Sequence, residues 1–236
     1  MKKLMILAIA MMVSFSASAQ IEEGNWYVTP KAGISIADLT GKLYDPSKAE
    51  GTYDATLRPL TTFTVGADFL YAVNDNLGVS FGLSYARQGA KTQDDLFRVS
   101  LDYINVPVMV NYYPFEKAGL ALKAGIQVGF VTHKSMKIDG VNYDKEYERV
   151  RATVIRHLYN GRTVVLNGYN YVESEWSKGF NKVDCSIPLA ISYELYNVQL
   201  EARYNLGLTK IMKDDAEASK NSVWQFTLGY KFNLGD

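Results

Sequence analysis

The residues able to do chemistry are few. His133-Lys134-Ser135 sets an imidazole and a hydroxyl two positions apart, so in an extended chain both leave from one face. That is the minimum a hydroxyl nucleophile with a neighbouring base requires. The base also needs a group to orient it, and no carboxylate is evident at an adjoining strand position. His157 has no partner of this kind either. Cys185, the one cysteine, stands among apolar residues and reads as small hydrophobic filling. Two distant histidines and one thiol do not make a metal site. No cofactor is implied, and the expectation is a protein that is not an enzyme.

Charge excludes a further class. There are 25 basic and 25 acidic residues, so the basic footprint of a nucleic-acid binder is missing. A single cysteine also excludes an internal disulfide framework. Lys2 and Lys3 precede an apolar run, Leu4 to Val13, and then Ala17-Ser18-Ala19, the order of a secretory signal peptide. Residues 1–19 are therefore expected to be cleaved, leaving one domain, residues 20–236.

The elements that would position any site are strands. Strict apolar alternation recurs in eight runs: Trp26–Ile36, Phe63–Tyr71, Leu77–Tyr85, Ile104–Tyr112, Leu120–Phe130, Val183–Tyr193, Val198–Leu208 and Trp224–Leu234. The apolar face of these runs carries no charge. Its opposite is small: Gly66, Gly78, Ser80, Gly82, Ser84, Gly125, Gly129, Gly207 and Gly229. A water-facing side would carry more Lys and Glu, as it would in a lipocalin-like barrel. Small residues instead suit the crowded interior of a narrow barrel. The apolar face then meets lipid.

Aromatic residues and connections agree. With strand direction alternating, Trp26, Tyr71, Tyr112, Tyr193, Tyr230 and Phe232 collect at one edge, and Phe63, Tyr85, Phe130 and Trp224 at the other. Two girdles around an apolar band match two membrane interfaces. Short connections (73–76, 114–119, 195–197) alternate with long ones, Asp38–Thr61, Gly89–Asp102, Thr132–Asn181 and Lys210–Val223. The expected fold is all-β: an eight-stranded antiparallel up-and-down transmembrane β-barrel of the outer membrane, its turns periplasmic and its loops outside.

The chain resembles the PorT-like family of small outer-membrane β-barrel proteins, related in architecture to the OmpA-type membrane domain. The likeness is carried by the Ala-Gln signal end, by Tyr103-Ile104-Asn105-Val106-Pro107-Val108 running into Asn111-Tyr112-Tyr113-Pro114, and by Gly229-Tyr230-Lys231-Phe232. It implies fold and location, not one activity; some members are linked to protein secretion and gliding. The chain ends with its last run, so no peptidoglycan-anchoring module is expected. The His133-x-Ser135 spacing is also similar to that of outer-membrane lipid A deacylases, without their surrounding motif.

Two groups of charged residues are candidate sites. Lys31, Lys123, Lys182, Arg203 and Lys231 share the lumen face with Asp68, Asp184, Glu194 and Glu201. Ionised groups in a narrow interior persist only when paired, so Asp68, Lys123, Glu194, Glu201, Arg203 and Lys231 are expected to form a salt-bridged plug. Lys231 is the first-choice partner of Glu201, and Lys123 the second. A narrow channel is the alternative. The other group lies in the Thr132–Asn181 loop, where Thr153–Tyr159 and Arg162–Leu166 flank Asn160-Gly161, a strong hairpin signal. Arg149, Arg151, Arg156 and Arg162 fall between Glu148 and Glu173 with no acid among them. Such a hairpin would meet lipopolysaccharide, a surface polysaccharide or an acidic protein. The sequence sets no oligomeric state.

Overall fold

In a computed structural model, the described residues are 21–40, 57–92, 97–115, 119–138, 141–142, 181–211 and 220–235. They contain ten strands: β1 (Trp26–Thr40), β2 (Leu57–Asn74), β3 (Leu77–Thr92), β4 (Phe97–Tyr112), β5 (Leu120–Ile138), β6 (Val141–Asn142), β7 (Val183–Leu195), β8 (Val198–Gly207), β9 (Lys220–Tyr230) and β10 (Phe232–Asn233). Each wall strand pairs antiparallel with the next, in the order β1-β2-β3-β4-β5-β7-β8-β9, and β9 returns to pair with β1. β10 prolongs β9: Gly229 opposes Lys31 and Phe232 opposes Val28 in one unbroken register. Two-residue β6 folds back antiparallel on the tip of β5, outside the ring of staves. The result is a closed barrel of eight staves with no free edge, which satisfies backbone groups internally as a bilayer requires.

Alternation sets the two faces. None of the apolar-run residues read as outward is buried, and Ile126 and Leu83 stand 65% and 56% exposed. Exposed apolar surface on this scale is a liability in water and a favourable contact in lipid. Rings knit the girdles, three pairs across strands and Tyr230 with Phe232 along one stave. Trp26 and Tyr71 are 5.0 Å apart and Tyr230 and Phe232 4.7 Å at one edge; Phe63 and Tyr85 are 5.6 Å and Tyr204 and Trp224 4.9 Å at the other. The 195–198 turn joins β7 and β8 through two residues, as 74–77 joins β2 and β3. Tyr196 and Asn197 take φ of 49° and 67°, the double positive φ of a two-residue hairpin turn.

The staves run further than alternation indicates, which corrects the expected loops. Leu57–Thr61, Gly89–Thr92, Phe97–Asp102, Thr132–Ile138 and Lys220–Val223 are strand. The cause is an inversion of polarity beyond the outer girdle. There Leu60, Ala90, Val99 and Leu101 are buried, while Arg58 and Lys137 are exposed. Bulges add to the disguise. Tyr103 opposes Val131 but Asp102 opposes His133, so Thr132 is extra, and β2 has a similar irregularity between Pro59 and Thr64. Asp102, the acid whose parity conflicts with a lipid face, sits at that bulge and past the girdle residue Tyr85.

Candidate functional site

The barrel interior gathers most of the expected site residues. Asp68, Lys123, Glu194, Glu201, Arg203 and Lys231 are all buried in it. They form two groups, not one. In the larger, Lys123 Nζ donates to Glu201 Oε2 at 2.7 Å and Lys31 Nζ donates to Glu201 Oε1 at 3.1 Å. Arg203 Nη2 lies 2.8 Å from Glu201 Oε1 and 3.3 Å from Asp68 Oδ2, and Lys31 also binds Asp68. Three cations thus surround two carboxylates. In the smaller group, Lys231 Nζ is 2.7 Å from Glu194 Oε1 and 4.9 Å above the Tyr27 ring.

Register explains the division and corrects the pairing of Glu201. Glu201 is level with Thr227 on β9, whereas Lys231 follows four residues nearer the turns, where its N–H donates to Asn197 O. At about 3.3 Å per residue that offset is roughly 13 Å along the strand. Lys231 is therefore beside Glu194 and out of reach of Glu201. Lys123, the second choice, is a partner. Lys31 joins the network from outside the expected set, because Thr29 opposes Asp68 across the β1–β2 pair. Space for these long chains comes from glycine. A Cβ on Gly82, which opposes Asp68, would lie 2.3 Å from the Asp68 carboxylate.

Below and above the ions the lumen is closed by other side chains. Ile21, Tyr27, Leu70, Ala72, Tyr113 and Ala121 form an apolar floor at the turn end. Towards the loops, Tyr103 on β4 accepts from Asn221 Nδ2 on β9 at 3.2 Å, and the same nitrogen donates to Asp184 at 2.9 Å. Thr209 also donates to Asp184. Asp184 is half-buried, and Lys182 is exposed and takes no part in the described ion pairs of the interior. Arg149, Arg151, Arg156 and Arg162 lie outside the described residues, as do the Asn160-Gly161 turn and residues 1–19.

The His133-x-Ser135 pair lies beyond the outer girdle, and the register overturns one expectation there. Asp102 stands directly opposite His133, and Ser100 opposite Ser135. A carboxylate does adjoin the histidine. Both of its oxygens, however, accept from Arg87, at 2.6 and 3.0 Å. Burial alone would push the Asp102 carboxyl up, but the Arg87 bonds and charge hold it below the usual carboxylate range. The same hydrogen bond raises the Arg87 guanidinium further. The spacing of His133 and Ser135 was legible, but the bulge that aligns Asp102 was not. Among the described residues no group of acids, histidines and cysteine is arranged to hold a metal ion.

The family described as outer membrane protein beta-barrel domain matches residues 17–213. No curated protein matches the chain. Among solved structures, Ail of Yersinia pestis is 14% identical, the match covering 89% of this chain and 99% of that one, with a TM-score of 0.42. OprG from Pseudomonas aeruginosa is 13% identical over 91% and 98%, at 0.44. Neisserial surface protein A is 14% identical over 89% and 100%, at 0.48. These likenesses concern the fold alone.

Proposed function

The chain belongs to the outer membrane protein beta-barrel domain family, and we propose that it acts in the outer membrane as a plugged barrel with a structural or surface-interaction role. One observation carries this reading. Lys31 on β1 and Lys123 on β5 come from opposite walls and meet on Glu201. A buried ionic cluster bridging the full width, between an apolar floor and the Tyr103–Asn221 brace, favours a filled lumen over a water column. The interaction role falls to the exterior, through the outer connections and the basic residues Arg149, Arg151, Arg156 and Arg162. PorT-like kinship, carried by the Tyr103–Val108 and Gly229–Phe232 motifs, belongs to this proposal too.

Affinity capture from detergent-solubilised outer membrane tests it. The full chain should retain an envelope polysaccharide or protein that a chain shortened between Asp139 and Phe180 loses. Equal retention by both would remove the long connection from the account.

An acyl-modifying enzyme is the second reading, favoured by Asp102 opposite His133 with Ser135 two residues on. Arg87 weakens it by donating to both Asp102 oxygens, which ties the carboxylate to a guanidinium instead of dedicating it to the histidine. Mass spectra of lipid A from cells expressing the chain or His133→Ala should be identical. A lost acyl chain restored by His133→Ala would install the enzyme instead.

A further inference from the structure

Beyond the outer girdle, one rung of the wall is made of four cations. Arg58 on β2 opposes Lys91 on β3, Lys91 opposes Arg98 on β4, and Arg98 opposes Lys137 on β5. The β3–β4 register runs unbroken from Leu77–Tyr112 to Lys91–Arg98, so the rung keeps the outward parity of Tyr85 and Ile104. Arg58 and Lys137 are exposed, and Lys91 and Arg98 half-buried. Lys91 is six residues past Tyr85. With about 3.3 Å per residue and a strand tilt near 40°, the rung stands roughly 15 Å above the girdle. That height is above the acyl chains and among headgroup sugars.

Like charges directly opposite on neighbouring strands destabilise a sheet, and here three such pairs are contiguous. Arg87, four residues nearer the membrane, is different, because Asp102 holds it. Asp38 on β1 lies beyond the end of the rung. Lys91 and Arg98 also have interactions within the chain, and what the rung offers a ligand is its summed charge. Even with the sequence neighbours Asp94, Asp95 and Asp139 set against it, four cations less three carboxylates leave an excess of one. A row of cations one strand apart, about 4.8 Å, suits anions that can bridge two of them.

We propose that this rung docks lipopolysaccharide of the outer leaflet, its cations binding the phosphates and carboxylates of the inner sugars while the girdle below packs on the acyl chains. The site lies on the strands themselves and uses none of Arg149, Arg151, Arg156 and Arg162. It rests on the orientation that puts the long connections outside.

The test is binding of fluorescent deep-rough lipopolysaccharide to the full chain in neutral detergent. Binding should weaken more than about tenfold in R58Q/K91Q/R98Q/K137Q, weaken with added salt, and weaken when the lipopolysaccharide is first treated with phosphatase. Undiminished binding by the fourfold variant would overturn the proposal, as would a wild-type preference for a sulphated oligosaccharide over lipopolysaccharide. Should the variant fail to fold, wild-type binding indifferent to both salt and phosphatase would overturn it equally. Orientation is read separately, by membrane-impermeant maleimide on intact cells bearing K91C. Labelling only after permeabilisation would sink the orientation and the site together. Surface labelling without lipopolysaccharide binding would sink the site alone.

Discussion

Lys31 and Lys123 stand on strands half a barrel apart, yet their ammonium groups share one carboxylate, at 3.1 Å from Glu201 Oε1 and 2.7 Å from Oε2. The whole width of the lumen is crossed by two side chains and the acid between them. Arg203 and Asp68 complete the ring. Each charge there has surrendered water, so the stability of the cluster depends on its completeness more than on any one pair.

Glu201→Gln should therefore be costly, on the order of 3–5 kcal/mol, because it leaves buried cations short of a counter-charge. Adding Lys123→Met should restore part of the loss, whereas adding Lys231→Met should only add its own. Urea unfolding in lipid vesicles, read as two double-mutant cycles, measures both. Coupling of Glu201 to Lys231 as strong as to Lys123 would mean that the two groups are one.

The wall makes a second prediction. Val108 is 44% exposed on the apolar face and Asn105 is 2% exposed in the lumen. Val108→Arg should cost about 2–4 kcal/mol near the midplane, and Asn105→Ser much less. Equal losses in the same vesicle assay would reverse the faces of β4.

At the outer rim, stability should depend on pH through Asp102. Its carboxyl is held below the ordinary range in the folded chain. The Arg87 pair therefore contributes fully above about pH 4 and fades as pH falls through the lower folded value. Arg87 is 42% exposed, so solvent screening keeps the effect small. Unfolding midpoints should fall below about pH 4 more steeply in the wild type than in Asp102→Asn. An identical decline in both would detach Asp102 from Arg87.

How far the sequence reaches is clear from particular residues. The faces of all eight staves follow from alternation, because lipid outside and a packed interior inside impose a period of two on Trp26–Ile36 as much as on Trp224–Leu234. Depth does not follow. Lys31 and Lys231 have the same lumen parity, and only strand register separates the one that reaches Glu201 from the one that reaches Glu194. Nor does the rim follow. Past Tyr85 the apolar face turns inward, and the extra residue at Thr132 moves His133 opposite Asp102. No pattern of side-chain polarity carries that single-residue shift.

Topology offers a further check. A tag inserted at Asn74, in the turn where the Asn74 side chain accepts from the N–H of Asn76, should be labelled only after permeabilisation, and one at Asn160 on intact cells. Labelling at Asn74 on intact cells would invert the barrel.

The most direct test of the filled lumen is conductance across a planar bilayer holding the purified chain in concentrated potassium chloride. The cluster around Glu201 should leave the current at the bare-lipid baseline, with steps emerging only when Lys31, Lys123 and Glu201 are all replaced by small neutral residues. Steady unitary steps from the unaltered chain would contradict the plug and make the barrel a narrow channel.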